Sequence, residues 1–195
     1  MKLPKRAHTS HPWRIHEVAR DFHLEDVWAL PTPGGPDDFQ RLVHLVAAFD
    51  PAKASPLVVR TLFTARRQLG ALLGIDDPKT GLGARVSSLR NQLPRDLRDG
   101  PSGPDSDALP FSPLYLTHNE WALEIANQTV HGVLHFGWVE DADGYCGQMA
   151  VLVKRNGLLG AIYMLAIAPF RYLLYPVMLR EIELQWRALV CEPAV

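Results

Sequence analysis

His131 and His135 are the residues of this sequence whose type and spacing point most directly to chemistry. An unperturbed imidazole titrates near neutral pH and serves as acid, base or metal ligand. The pair stands four apart in TVHGVLHFGWV, among β-branched and glycine positions that argue for a strand rather than a helical HxxxH ligand set. In a strand both rings share one face at a separation of roughly 13 Å, too far to hold one metal ion. Acid/base work is then the chemistry on offer, with Glu124 as the carboxylate candidate in the preceding segment. The alternation alone favours a plainer placement, with both histidines on the solvent face of a half-buried sheet.

Arg171 is the second candidate, because it is the one charge between Gly157 and Met178 in GLLGAIYMLAIAPFRYLLYPVM. A guanidinium in such surroundings needs an anionic partner, either a ligand carboxylate or the side chain of Glu120 or Glu124. Trp121, Trp138, Tyr163 and Phe170 are candidates to line a pocket for a flat apolar ligand, although core packing is the commoner fate of such aromatics. Glu140, Asp141, Asp143 and Gly144 read as a hairpin turn, since the acidic array of a calcium loop is missing. No nucleophile elbow, P-loop or HExxH motif occurs, and no metal site is expected.

These residues must be positioned by the elements around them. Phe22 to Leu30 reads as a first strand stopped by PTPGGP. Asp37 or Asp38 then caps a helix carrying Phe39, Leu42, Val43 and Val46, and Ser55-Pro56 opens a second helix ending at Gly74. Prolines and glycines interrupt every period from Asp76 to Pro110, which marks a connector or lid; RVSSLRNQLP within it reads as a strand or one helical turn. Beyond Pro110 the period becomes two in PLYLTHNEWALEIANQ, TVHGVLHFGWV and GYCGQMAVLVK, an antiparallel meander with one apolar face. Thr117 and Glu120 have capping-box spacing, yet the alternation of Trp121, Leu123 and Ile125 favours strand over a short helix. The long apolar segment from Gly157 reads as a closing helix kinked by Pro169 and Pro176, and a soluble helix is favoured over a membrane contact.

The segments VVRTLFTARRQLGALLGID, THNEWALEIANQTVHGVLHF and LLGAIYMLAIAPFRYLLYPVMLREI resemble a bacterial family known only as domain of unknown function 2867, over about Asp26 to Trp186. The resemblance implies a protein that stands alone or is fused behind an NAD(P)-binding reductase-like domain, which makes a reductase-like partner or a homodimer an expectation. This sequence carries no GxGxxG, so no cofactor is expected. The element order is similar to the helix-grip fold of the START and polyketide-cyclase-like superfamily, in which a curved antiparallel sheet grips the last helix around an apolar cavity. Only three strands are clear after Pro110, and the missing ones are expected from Ala84 to Leu93.

At 195 residues, 47% hydrophobic and 21% charged, with a formal net charge of -1, the chain has the composition of one folded α+β domain. The arginines at 60, 66, 67, 85, 90, 95 and 98 lack interleaved aromatics, and nucleic acid is not an expected partner. Two cysteines without CxxC spacing fit a reducing cytoplasm. Residues 1–21 read as a flexible tail without an apolar leader, and 22–195 as one domain with the connector at 76–110. The expectation is a helix-grip-like α+β domain whose antiparallel sheet grips a long C-terminal helix and binds a small apolar or aromatic molecule between them. An acid/base enzyme of cyclase, hydratase or isomerase type, and a membrane-peripheral or partner-binding module, are the alternatives.

Overall fold

The computed structural model describes residues 1–50, 64, 86–106, 108–127 and 129–191. Its centre is a six-stranded antiparallel sheet in the order β1-β2-β6-β5-β4-β3. The strands are β1 (Lys2–Leu3), β2 (His23–Ala29), β3 (Ser112–Leu116), β4 (Glu120–Ala126), β5 (Val130–Asp141) and β6 (Gly144–Arg155). Among the described residues the helical elements are α1 (Arg6–Thr9), α2 (Ile15–Val18), α3 (Phe39–Ala47), a 3-10 turn at Leu89–Gln92, α4 (Arg95–Arg98) and α5 (Gly157–Cys191). The α+β class and the sheet-plus-closing-helix plan are those expected.

Short side chains set the meander's register. Thr117 and Glu120 do interact, but at a hairpin: the Thr117 hydroxyl accepts from the backbone of Asn119 and Glu120 and splits PLYLTHNEWALEIANQ into β3 and β4. Asn127 closes the next turn, its Oδ1 accepting from Thr129 N, Thr129 Oγ1 and Val130 N. The acidic turn joins β5 to β6, with Gly144 at φ 132°, a conformation that side chains rarely adopt. The extra strands come from the N-terminus and from that split; the Ala84 to Leu93 region instead supplies the 3-10 turn within its described part.

One face of the sheet takes α5. Leu179, Ile182 and Trp186 are buried there with Trp138, Phe136, Met149 and the inner face of α3. The helix bends by 56° between Gly157–Ala168 and Arg171–Val190, across the Pro169 position where a backbone N–H is missing. No single described helix is long and apolar enough to cross a membrane. Asp38 stands at the N-cap of α3, but its carboxylate accepts from Gly35 N and pairs with Arg41 instead of capping the first turn. The helix expected over Ser55 to Gly74 falls outside the described residues.

The other face was expected to meet solvent and is buried. In place of a frayed tail, β1 pairs with β2, and Trp13, Ile15 and Val18 pack on Val133, Ala150 and Leu152. Part of the expected lid lies there too, with Leu89, Leu93 and Leu97 in the same cluster as Leu114 and Tyr115. Trp13 fills the gap that Gly137 leaves: a Cβ on Gly137 would lie 2.7 Å from the indole. A tail free of the fold predicts no cost for losing this ring; the observed packing predicts that Trp13→Ala lowers the unfolding free energy by about 3–5 kcal/mol in urea titrations.

Candidate functional site

The cavity lies between the sheet and α5. Gly132 sits on the α5-facing side of β5, flanked across the ladders by Ile125 and Val153. Val130 and Leu134 continue that face on either side and line the cavity with it. Tyr163, Met164, Ile167, Leu174 and Met178 of α5 roof the cavity, and Leu109 to Phe111 close one flank. The space is partly open, its volume is about 240 Å³ and its wall is almost wholly apolar. An apolar void of about 150 Å³ admits benzene, and ligand pockets start near 300 Å³, so this space suits a single ring or a short chain.

The polar side chains among the described lining residues are Asn127, Tyr163, Arg171 and Tyr175. The partner of Arg171 is Asp26 at 3.4 Å, in place of Glu120 or Glu124, which lie on the opposite face of the sheet. A bulge between Leu24 and Asp26 turns the Asp26 carboxylate toward α5, where it is 1% exposed and also meets Lys2 at 3.0 Å. Lys2 donates to the Tyr172 hydroxyl at 2.9 Å, and that bond, followed by Asp26, holds its ammonium above the usual range against the opposing effect of burial. Burial pushes the Tyr175 phenol up to about 12, with Arg171 pulling the other way, so it remains protonated. Arg171 Nε and Nη1 are buried without a hydrogen-bond acceptor.

Across the sheet, His131 and His135 are 7% and 0% exposed. Their physical setting differs from the expected solvent face because each has a carboxylate beside it on β4. His131 Nε2 lies 2.9 Å from Glu124 and His135 Nε2 lies 2.9 Å from Glu120. Glu124 also accepts from the Ser88 hydroxyl and from Leu89 N at 3.0 Å. Glu120 accepts from Arg14 N at 2.9 Å and from the Tyr115 hydroxyl at 3.0 Å. Burial works to raise the Glu120 carboxyl, but His135 and these donors outweigh it and hold it below the usual carboxylate range.

A line of imidazoles leads outward from Glu120. His135 Nδ1 is 3.1 Å from His8 Nε2, and His8 Nδ1 is 3.2 Å from His16 Nε2, with His16 half-exposed. A carboxylate only accepts, so His135 Nε2 donates to it. Every contact along the line is satisfied when each ring carries a hydrogen on Nε2 and accepts at Nδ1. Burial, then the neighbouring His135, His16 and His11, hold His8 at about 2, and burial lowers His16 as well. Sequence spacing could not reveal His8 or His16 here, because the line joins residues far apart in the chain.

The expected site residues therefore divide between the two faces. Tyr163 and Arg171 border the cavity, whereas His131, His135 and Glu124 are sealed on the far side of the sheet and do not reach it. Trp121 stacks on Phe136 and donates to Ser102 O; Trp138 packs beside Phe39 and Trp186 and donates to Gly35 O. Both indoles are core rather than lining. The side chain of Phe170 falls outside those described. Among the described residues no cluster of three or more His, Cys, Asp or Glu side chains is arranged to hold a metal ion.

A family model described as "Protein of unknown function (DUF2867)" matches residues 18–178, which includes the described lining of the cavity, α5 as far as Met178 and the paired carboxylates. The chain belongs to the DUF2867 family. No curated protein and no solved structure matches it. Within this DUF2867 chain, the match begins at Val18, after the β1 strand and after His8 and His16.

The neutral His8 gives this DUF2867 protein a defined acid response. Unfolded, His8 takes up a proton near pH 6.5; folded, it does so only near 2, so in that window the unfolded chain binds more protons and stability falls as pH falls. Glu120 adds a loss of the same sign below its ordinary value of 4.5. Unfolding free energy from urea titrations is expected to drop by up to about 1.4 kcal/mol per pH unit for this one group between its ordinary value and that of Glu120. In His8→Gln that slope falls by about one proton; an unchanged slope would show that His8 is not held neutral.

Proposed function

We propose that this protein binds a small apolar or aromatic molecule in the cavity between the sheet and α5. The observation that carries the reading is the partly open apolar space of about 240 Å³ over Gly132, bordered by α5 residues on one side and by three adjacent strands on the other. The similarity of element order to helix-grip proteins supports the same use of the space by analogy. Among the described residues that line the cavity there is no imidazole and no carboxylate, which speaks against the cyclase, hydratase or isomerase alternative built on His131, His135 or Glu124. The low cysteine content fits a cytoplasmic setting for this role.

A second reading rests on the outer side of α5. Leu158, Leu159 and Leu165 are 77%, 71% and 75% exposed, and Ile162 and Leu173 are also exposed. A contiguous apolar strip of this kind suits a membrane surface, a second copy or a reductase-like partner. Co-sedimentation with liposomes and light scattering separate these: lipid pelleting supports the first, a dimer the second, and a monomer that ignores lipid leaves the cavity reading alone.

Native mass spectrometry of freshly purified protein, with extraction of any bound molecule, tests the cavity. A defined small molecule on the wild-type protein and its loss in Val151→Phe is the expected result, since the larger ring occupies the void from β6. Filling a void commonly adds about 0.5–2 kcal/mol, so the variant should melt no lower than the wild type. Equal ligand retention by a folded Val151→Phe would place the molecule elsewhere and sink the proposal.

A further inference from the structure

We infer that the ligand is an uncharged carbonyl compound whose oxygen accepts from a neutral donor of the wall, the Asn127 amide or the Tyr175 hydroxyl; this rests on the cavity reading above. Asn127 follows β4, is 6% exposed and borders the cavity. Thr129 N, Thr129 Oγ1 and Val130 N all donate to one atom of its amide. A backbone N–H only donates, so that atom is Oδ1 and the NH2 group points the other way. Among the described residues Nδ2 has no acceptor, yet it is not one of the polar atoms sealed from solvent. In a residue so buried, that amide opens on the cavity it borders. The Tyr175 hydroxyl is likewise without a partner among the described residues and is not sealed. Burial pushes its phenol up to about 12, so this hydroxyl faces the cavity rather than bulk water and stays a donor.

The charged groups nearby are engaged with one another. Asp26 stands between Lys2 at 3.0 Å and Arg171 at 3.4 Å, and the Arg171 Nε and Nη1 atoms are sealed from solvent. An anionic ligand would therefore meet a wall with no open counter-charge, and burying an unpaired charge costs far more than burying a neutral polar group. What the wall leaves open is donors. A carbonyl supplies them with an acceptor and brings no hydrogen of its own to be satisfied. The apolar remainder of the wall then takes one aromatic ring or a short aliphatic chain. Asn127 serves both faces of this arrangement: its oxygen holds the turn between β4 and β5, and its nitrogen reads the ligand.

Titration calorimetry with acetophenone, ethylbenzene and benzoate, which share one ring, separates the oxygen from the tail and the charge from both. Wild-type protein is expected to bind the two neutral compounds, and benzoate at least about tenfold more weakly than acetophenone. Tyr175→Phe removes only the unpartnered hydroxyl, and Asn127→Asp removes the NH2 group while keeping the oxygen that Thr129 and Val130 require. In at least one of them the ratio of acetophenone to ethylbenzene affinity is expected to fall several-fold to about tenfold, the effect of one hydrogen bond. Should one variant fail to fold, the other carries the comparison. Val151→Phe should lose both neutral compounds. An unchanged ratio in the folded variants, or benzoate bound as tightly as acetophenone, would overturn the inference and leave the cavity reading intact. Binding of neither neutral compound by the wild type, or retention of both by Val151→Phe, would overturn both.

Discussion

Burying two carboxylates inside a sheet is the constraint on which the remaining architecture depends. Glu120 and Glu124 lie on one face of β4, 3% and 1% exposed, where an unpaired charge would be strongly destabilising. Each is matched by an imidazole on β5 and by backbone N–H groups from segments distant in sequence. Those N–H groups belong to Arg14 and Leu89, so the same hydrogen bonds that satisfy the charges pin down the N-terminal region and the segment around the 3-10 turn. The pinned segments then bring Trp13, Ile15, Leu89 and Leu97 onto the sheet. Polar pairing and apolar burial support one another on this face, and neither is explicable alone.

The opposite face follows a different logic. Its strands present a nearly continuous apolar surface to α5, and the helix divides its labour along its length. The C-terminal part anchors it through Leu179, Ile182 and Trp186, the last donating its indole N–H to Pro33 O. The part before the bend spans the cavity at Gly132, with Met164 buried against Val130 and Val153. The bend lets one helix do both, since a straight rod could not follow a twisted sheet along so many residues. Arg171 follows the bend directly and meets a carboxylate redirected by a strand irregularity. Local departures from ideal geometry in two separate elements thus converge on one wall of the cavity.

Separating the two faces has a chemical consequence. The groups best suited to proton transfer, the imidazole line and its carboxylate, lie where there is no described space for a ligand. The face with space offers hydrophobic contact, two phenols and a guanidinium. The imidazoles and the described wall of the cavity thus lie on opposite faces of the sheet. The imidazole line is instead a means of holding α1, α2 and β5 together through directional contacts.

Much of the frame was legible in the residues themselves. Period-two alternation located β4, β5 and β6, breakers bounded β2, and the apolar run with its prolines marked a long bent closing helix, because these signals are local and repeat along one element. The likeness to the DUF2867 family was carried by the same stretches. Alternation assigns a side chain to a face but does not say what covers that face, so His131 and His135 were placed against solvent until Glu120, Glu124 and the N-terminal segment were seen beside them. Trp13 and Leu89 lie in short, proline-broken stretches with no period to reveal their burial. The partnership of Arg171 with Asp26 arises from a bulge and a helix bend brought together across 145 residues of chain. Sequence by itself determined the longer strands and the long closing helix; only tertiary structure decided the short N-terminal elements, which charges meet, which face is sealed and where a pocket remains, because those depend on contacts between residues that no local pattern links.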